Sequence, residues 1–148
     1  MPTITVSLLF LAMPYTDASG DPHPDAIAYL QGISMDNTPG QGGAGADWHI
    51  YRDAAHFASS AAPVGQIHDQ TPAAEYFPAI FQPVITGSSR ATDTALAFAN
   101  LALSHKTVPA LNADGTTQVD PVTLLPVMKS QFDGATIVTL PVPITVPG

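Results

Sequence analysis

Residues 3–13 read Thr-Ile-Thr-Val-Ser-Leu-Leu-Phe-Leu-Ala-Met. Polar and apolar side chains alternate over the first half and the second half is continuously apolar, which is typical of a strand that enters a hydrophobic core. The stretch is too short to cross a bilayer. It also lacks the preceding lysine or arginine with which a secretory signal begins. We therefore predict a β-strand over Thr3–Met13, and neither a leader peptide nor a membrane span.

A second strand is predicted near the other end of the chain, over Ala135–Val146. Pro141 and Pro143 fall on one face of this strand. Because proline cannot donate a hydrogen bond to a neighbouring strand, the segment belongs either at a sheet edge or in an extended arm, residues 135–148, that lies on a neighbouring molecule.

The region between these strands predicts a hairpin. Ala26–Met35 is interpreted as a strand, with a helix as the alternative. The glycines of Gly40–Gly45 are interpreted as a loop, and Asp47–Tyr51 as the returning strand with Trp48 and Ile50 on one face.

Helical patterns follow in the second half of the chain. The best helix is predicted over Ser89–His105, where the apolar stripe consists of Ala91, Ala95, Phe98, Ala102 and Leu103. Shorter helical segments are predicted over Asp53–Ala62, from Thr71 and from Asp120, and Asp133 with the following glycine predicts a turn into the last strand.

These elements predict a single α+β domain. Its antiparallel sheet or small β-sandwich carries one medium helix at about residues 89–105, long Pro/Gly-rich loops and extended terminal segments. The 15 prolines limit the length of every element.

The charge content is unusual for a soluble domain. Charged residues make up 11% of the 148 residues, whereas an ordinary domain carries about 25%. The net charge is -8 and only four residues are basic, with no two of them adjacent. These features argue against nucleic-acid binding and against a cationic membrane-surface helix. A largely neutral surface favours self-association, because part of such a surface is expected to be covered by neighbours. A monomer with a neutral surface rich in Ser, Thr and Gln is the alternative.

Candidate chemistry centres on the histidines. His49, Asp53 and His56 would share a face if their segment were helical, and imidazole and carboxylate groups can bind a divalent metal. We interpret His49 as a strand residue, so a structural role is favoured. No cysteine is present to form a disulfide or a thiolate site. The sequence thus predicts no catalytic residue, no metal and no cofactor.

Two other functions remain as alternatives. A carbohydrate-binding or adhesin-like module would use Trp48, Tyr51 and the loop aspartates. A small enzyme would use a His/Asp site that adds His68 to the histidines named above. The glycines of Gly40–Gly45 do not form a phosphate loop, since no lysine followed by serine or threonine comes after them.

The chain resembles virion structural proteins of tailed bacteriophages. It is short, cysteine-free, charge-poor and rich in Ala, Pro, Thr and Val, in the manner of capsid decoration (cement) proteins. The order of Ala26–Met35, Gly40–Gly45 and Asp47–Tyr51 is similar to the strand, glycine-rich loop and strand of tail-tube and type VI secretion tube subunits. This resemblance implies a non-catalytic component of a multimeric assembly and transfers no functional residue.

The leading hypothesis is therefore a capsid decoration or minor capsid protein that acts as a symmetric oligomer, with a tail-tube-like subunit as the alternative. The expected partners are copies of itself and a major capsid or other virion protein. The expected location is the virion, assembled in the host cytoplasm. The residues predicted to contact a neighbour lie in the terminal segments and are Ile4, Val6, Leu8, Phe10, Val142, Ile144 and Val146.

Overall fold

The computed structural model describes residues 2–36, 38, 42–75 and 90–145. The described residues form these elements: β1 (Thr3–Ala12), β2 (Tyr15–Thr16), β3 (Pro22–His23), β4 (Ile27–Asp36), β5 (Gly43–Tyr51), α1 (Ala54–Ala58), β6 (Gly65–Pro72), α2 (Arg90–Ser104), β7 (Val108–Pro109), β8 (Met128–Lys129) and β9 (Thr136–Thr145). The structure is mostly antiparallel sheet with few helices, which is consistent with the α+β prediction.

The long strands form one five-stranded sheet in the order β6-β5-β4-β1-β9, and every neighbouring pair is antiparallel. β1 and β9 pair along their whole length, from Thr3 opposite Thr145 to Ala12 opposite Thr136. The strands predicted at the two ends of the chain are thus confirmed and lie side by side.

β9 occupies a sheet edge, which was one of the two predicted positions for a strand with two prolines. Pro141 and Pro143 lie opposite Ser7 and Thr5. Because proline has no N–H, the residues that alternate with the prolines supply the hydrogen bonds to β1, and the prolines face the open edge. Residues 146–148 of the predicted arm lie outside the described residues.

One face of the sheet packs against α2, and we call it the α2 face. The fully buried side chains of Trp48 and Ile50 on β5 point to this side together with Leu11 on β1. Phe98 on α2 and Phe132, just before β9, cover them. Alternation along the strands therefore builds the main core, as predicted for Trp48 and Ile50.

The opposite face carries an aromatic cluster under α1. Phe57 of α1 packs with its ring centroid 5.0 Å from Phe10, 5.0 Å from Tyr51 and 4.9 Å from Tyr29. Asp53 caps the helix, because its side chain accepts a hydrogen bond from the His56 N–H. The short helix predicted within Asp53–Ala62 is confirmed.

The helix predicted over Ser89–His105 is confirmed as α2, although Ser89 itself lies outside the described residues. The strand β6 was not predicted, because no element was assigned to residues 64–70. The short helix predicted from Thr71 begins two residues later, at position 73, because Thr71 and Pro72 are the last residues of β6 and Thr71 is buried there.

Two further predictions need correction. The glycine-rich loop is shorter than Gly40–Gly45, because Gly43 and Gly45 belong to β5, and residues 39–41 lie outside the described residues. The helix predicted from Asp120 is absent. The Asp120 carboxylate caps a single turn, and the chain leaves the helical conformation at Leu124, whose φ is 60°.

Candidate interaction surface

Residues 106–129 leave the domain between α2 and β9, and we call them the excursion. β7 and β8 form its base, where the Thr107 N–H donates to the Lys129 carbonyl at 3.0 Å. A middle segment joins both sides: the Gln118 N–H donates to the Ala110 carbonyl and the Val127 N–H donates to the Gln118 carbonyl, each at 2.9 Å. Main-chain hydrogen bonds thus fix the path of the excursion.

Two aspartates close the turns of the excursion. Asp114 accepts from the Thr116 hydroxyl at 2.6 Å and from the Thr116 N–H at 3.0 Å. Asp120 accepts from the N–H groups of Val122 and Thr123 at 2.8 and 3.1 Å. These hydrogen bonds lower the pKa of both carboxyl groups, so both are charged at neutral pH.

The excursion exposes an unusual amount of apolar surface. None of the buried hydrophobic side chains of the described residues lies within it. It carries most of the large hydrophobic residues that the described residues expose: Leu111, Val119, Val122, Leu124, Leu125, Val127 and Met128. Val122 is 88% exposed and Leu124 is 76% exposed. A contiguous exposed apolar segment of this kind is typical of an interaction site.

Leu124 also has a backbone conformation that leucine rarely adopts, with φ of 60°. A side chain with a Cβ costs about 1–2 kcal/mol in this left-handed region, where glycine or asparagine fits better. Its exposed side chain contributes nothing to the core in return. Strain of this sort tends to occur at functional positions.

The excursion is formally neutral in an acidic chain. It contains two lysines, Lys106 and Lys129, and two aspartates, Asp114 and Asp120, so the whole net charge of -8 belongs to the rest of the chain. The lysines lie at the base and the aspartates in the turns. In the described part of the chain every ion pair involves a histidine, and neither lysine is paired.

We call the two points at which the excursion joins the rest of the domain its first and second roots. His105 holds the first root, immediately before residue 106. Its Nδ1 lies 2.9 and 3.0 Å from the two carboxylate oxygens of Asp69 on β6, and its Nε2 lies 2.5 Å from Oε2 of Glu75. Burial alone would lower the pKa of His105, but the hydrogen bonds to the two carboxylates outweigh it and raise this pKa above 6.5.

The second root is held by a serine and a phenylalanine. The Ser130 hydroxyl donates to the Ala102 carbonyl of α2 at 2.7 Å and accepts from the Phe132 N–H at 3.0 Å. The Phe132 ring is buried 5.6 Å from the Trp48 ring. Neither Ser130 nor Phe132 titrates near neutral pH, in contrast to His105 at the first root.

The structure places the described members of the predicted contact set on one face of β1 and β9, the face that packs against α1. Ile4 is 46% exposed, whereas Phe10 and Val142 are buried within the protomer and leave little surface for a neighbour. The half-buried members are Val6, Leu8 and Ile144, and Val146 lies outside the described residues.

The predicted metal-ligand candidates are only partly brought together. The Nδ1 atom of His56 lies 2.7 Å from Oδ1 of Asp53, which also caps α1. His49 lies on β5 opposite Tyr29 and Gln66. Within the described residues, no group of three or more His, Asp or Glu side chains has an arrangement that could hold a metal ion.

The structure also shows where Trp48 and Tyr51 of the carbohydrate-binding alternative and His68 of the enzyme alternative lie. Trp48 and Tyr51 are buried, so neither ring is available to stack on a sugar. His68 is exposed on β6, where its Nδ1 lies 2.7 Å from Oδ1 of Asp47. The hydrogen bond to Asp47 raises the pKa of His68.

The sequence does contain a signal for the excursion that our prediction missed. Residues 119–128 hold one charge, two prolines and six large apolar side chains. We interpreted this run as part of a short helix, whereas nothing in its spacing assigns it to the core.

Among the described residues, no helix has both the length and the hydrophobicity that a membrane span requires. Comparison of the chain with protein families, with curated protein sequences and with solved structures finds no match.

Proposed function

We propose that this protein is a non-catalytic structural protein that self-associates, and that the excursion is its main contact. The observation that carries the proposal is the set of seven large hydrophobic side chains exposed on a formally neutral segment. Burying a leucine or valine side chain contributes about 1.5–3 kcal/mol. Covering several of these side chains would therefore stabilise an assembly substantially.

The occupant of this surface is a second copy of the chain. Lys106 and Lys129 lie at the base and lack partners among the described residues, while Asp114 and Asp120 lie in the turns. Two excursions packed antiparallel about a two-fold axis would place the lysines of one near the aspartates of the other. A contact of this kind is self-complementary, as a two-fold interface requires.

The proposed assembly is a virion shell, in which the protein would be a decoration or minor capsid protein on a major capsid lattice. Low charge content, absence of cysteine and abundance of proline support this class. A tail-tube-like subunit remains the alternative within the same class. Any arm exchanged between subunits would extend from β9, whose residues 136–145 pair with β1 of the same chain.

Light scattering with size exclusion, over a wide range of concentrations, tests self-association. The wild-type mass is expected to rise from one protomer to a defined oligomer. A mass that stays at one protomer throughout would overturn the proposal.

The Leu124→Asn variant separates association from folding. Loss of the apolar side chain should weaken self-association at least tenfold, since about 1.4 kcal/mol corresponds to a factor of ten. The free energy of unfolding should not fall and should rise by up to about 1 kcal/mol, because asparagine tolerates the left-handed conformation.

The matched control for Leu124→Asn is Met35→Ser, which removes another exposed side chain, 54% exposed, outside the excursion. It should leave the oligomer mass unchanged. Equal weakening by both variants would contradict the excursion as the contact.

A further inference from the structure

His105 lies at the junction of three parts of the fold. It follows the last residue of α2, its main-chain N–H donates to the Leu101 carbonyl at 3.1 Å, and the excursion begins at the next residue. Its ring contacts Asp69 on β6 and Glu75 in the helical residues that follow β6. One imidazole thus connects the end of the helix and the first root of the excursion to the sheet.

Both ring nitrogens of His105 face carboxylates, and a protonated ring satisfies both contacts with its two N–H groups. An imidazolium donates from Nδ1 and from Nε2, whereas a neutral imidazole has one N–H and one lone pair. After loss of the proton, one nitrogen lone pair would face Asp69 or Glu75 without a hydrogen atom between them. Asp69 and Glu75 are the charged groups that act on this ring among the described residues.

The two roots of the excursion therefore respond differently to pH. Ser130 and Phe132 hold the second root through a hydroxyl group and a buried ring, neither of which titrates near neutrality. The first root depends on a group that does. The hydrogen bond from the Thr107 N–H to the Lys129 carbonyl lies two residues after His105 at the base of the excursion, and it reports on the closure of this base.

We propose that protonated His105 clamps the first root of the excursion to β6 and that its deprotonation releases this root, which makes contact through the excursion dependent on pH. The last part rests on the proposed function, whereas the clamp itself is a property of the single chain. The clamp is fully closed at a pH below the ordinary histidine value of 6.5. It opens as the pH rises through the higher value that His105 has in the folded protein.

The test for the clamp is an NMR titration of the dilute, monomeric protein that follows the His105 ring and the Thr107 amide together. The two are expected to titrate with the same midpoint, above 6.5. Glu75→Gln keeps the shape of the side chain and removes one carboxylate, so it should move both midpoints downward together. Each unit of that movement corresponds to about a tenfold change in the stabilisation of the protonated form.

Two further variants serve as controls. His105→Gln should abolish the pH dependence of the Thr107 amide. His68→Gln removes the other histidine with a raised pKa and should leave that dependence unchanged. A Thr107 amide that does not follow the His105 ring, or that still titrates in His105→Gln, would overturn the clamp.

Light scattering on either side of the His105 midpoint then tests the coupling to association. The oligomer should weaken as the pH rises in the wild type and not in His105→Gln. If the Thr107 amide titrates but the oligomer mass does not change with pH, the coupling between the clamp and association is overturned. A monomer at every pH would overturn the proposed function, and the amide titration would still decide the clamp.

Discussion

A chain in which Asn-Gly replaces residues 109–128 is expected to fold with nearly the stability of the parent, within about 1 kcal/mol, and to lose its self-association. No buried hydrophobic side chain of the described residues lies in the deleted segment, so the core would remain intact. Val108 and Lys129 are directly opposite each other at the base. A two-residue Asn-Gly turn joins such a pair without distorting it.

Urea denaturation and light scattering on the same samples measure the two effects of this deletion. The control is Val122→Ser with Leu125→Ser, which keeps the excursion and removes two of its exposed apolar side chains. The control should also weaken association while retaining stability. An oligomer that survives the deletion would place the contact elsewhere, and a loss of several kcal/mol would show that the excursion supports the core.

The Phe132→Ala substitution is expected to destabilise the protein by about 3–5 kcal/mol, the cost of removing a fully buried aromatic ring. Phe132 is 1% exposed and packs edge-on against Trp48, beneath α2. A domain of this size has a total stability of about 5–15 kcal/mol. The substitution would therefore remove a large share of it, and would also loosen the second root of the excursion.

Urea denaturation again measures this change, and Phe132→Leu is its control. Leucine fills most of the site, so this variant should lose less than about 1.5 kcal/mol. If Phe132→Ala lost less unfolding free energy than Phe132→Leu, the ring would not belong to the core.

The sheet was largely predictable because its strands have a strong local signal. Residues 3–13 alternate and then become apolar, and the structure confirms a strand there. The prolines of the last strand indicated either an edge or an extended arm, and its described residues lie at an edge. β6 was missed because its inward-facing positions include Asp69 and Thr71 rather than a row of aliphatic residues. Asp69 is buried and contacts His105. A buried polar residue of this kind does not produce the hydrophobic alternation from which a strand is predicted.

The interaction surface was not predictable to the same degree. The sequence favoured self-association and assigned its contacts to the chain termini. Among the described residues, however, most of the large exposed apolar side chains lie in residues 106–129. An apolar run in a sequence does not indicate whether it enters the core or leaves the domain. The clamp of His105 depends on residues 36 and 30 positions earlier in the chain, and only the tertiary fold brings them together.

The two prolines at the open side of β9 limit how sheets of neighbouring molecules can join. A fibril grows when each sheet offers one edge to the molecule before it and the other edge to the molecule after it. Pro141 and Pro143 remove two donors from the middle of one of these edges. End-to-end growth through continuous sheets is thereby opposed at β9. Pairing through the opposite edge, β6 with β6, would use up the remaining edge and end at two molecules.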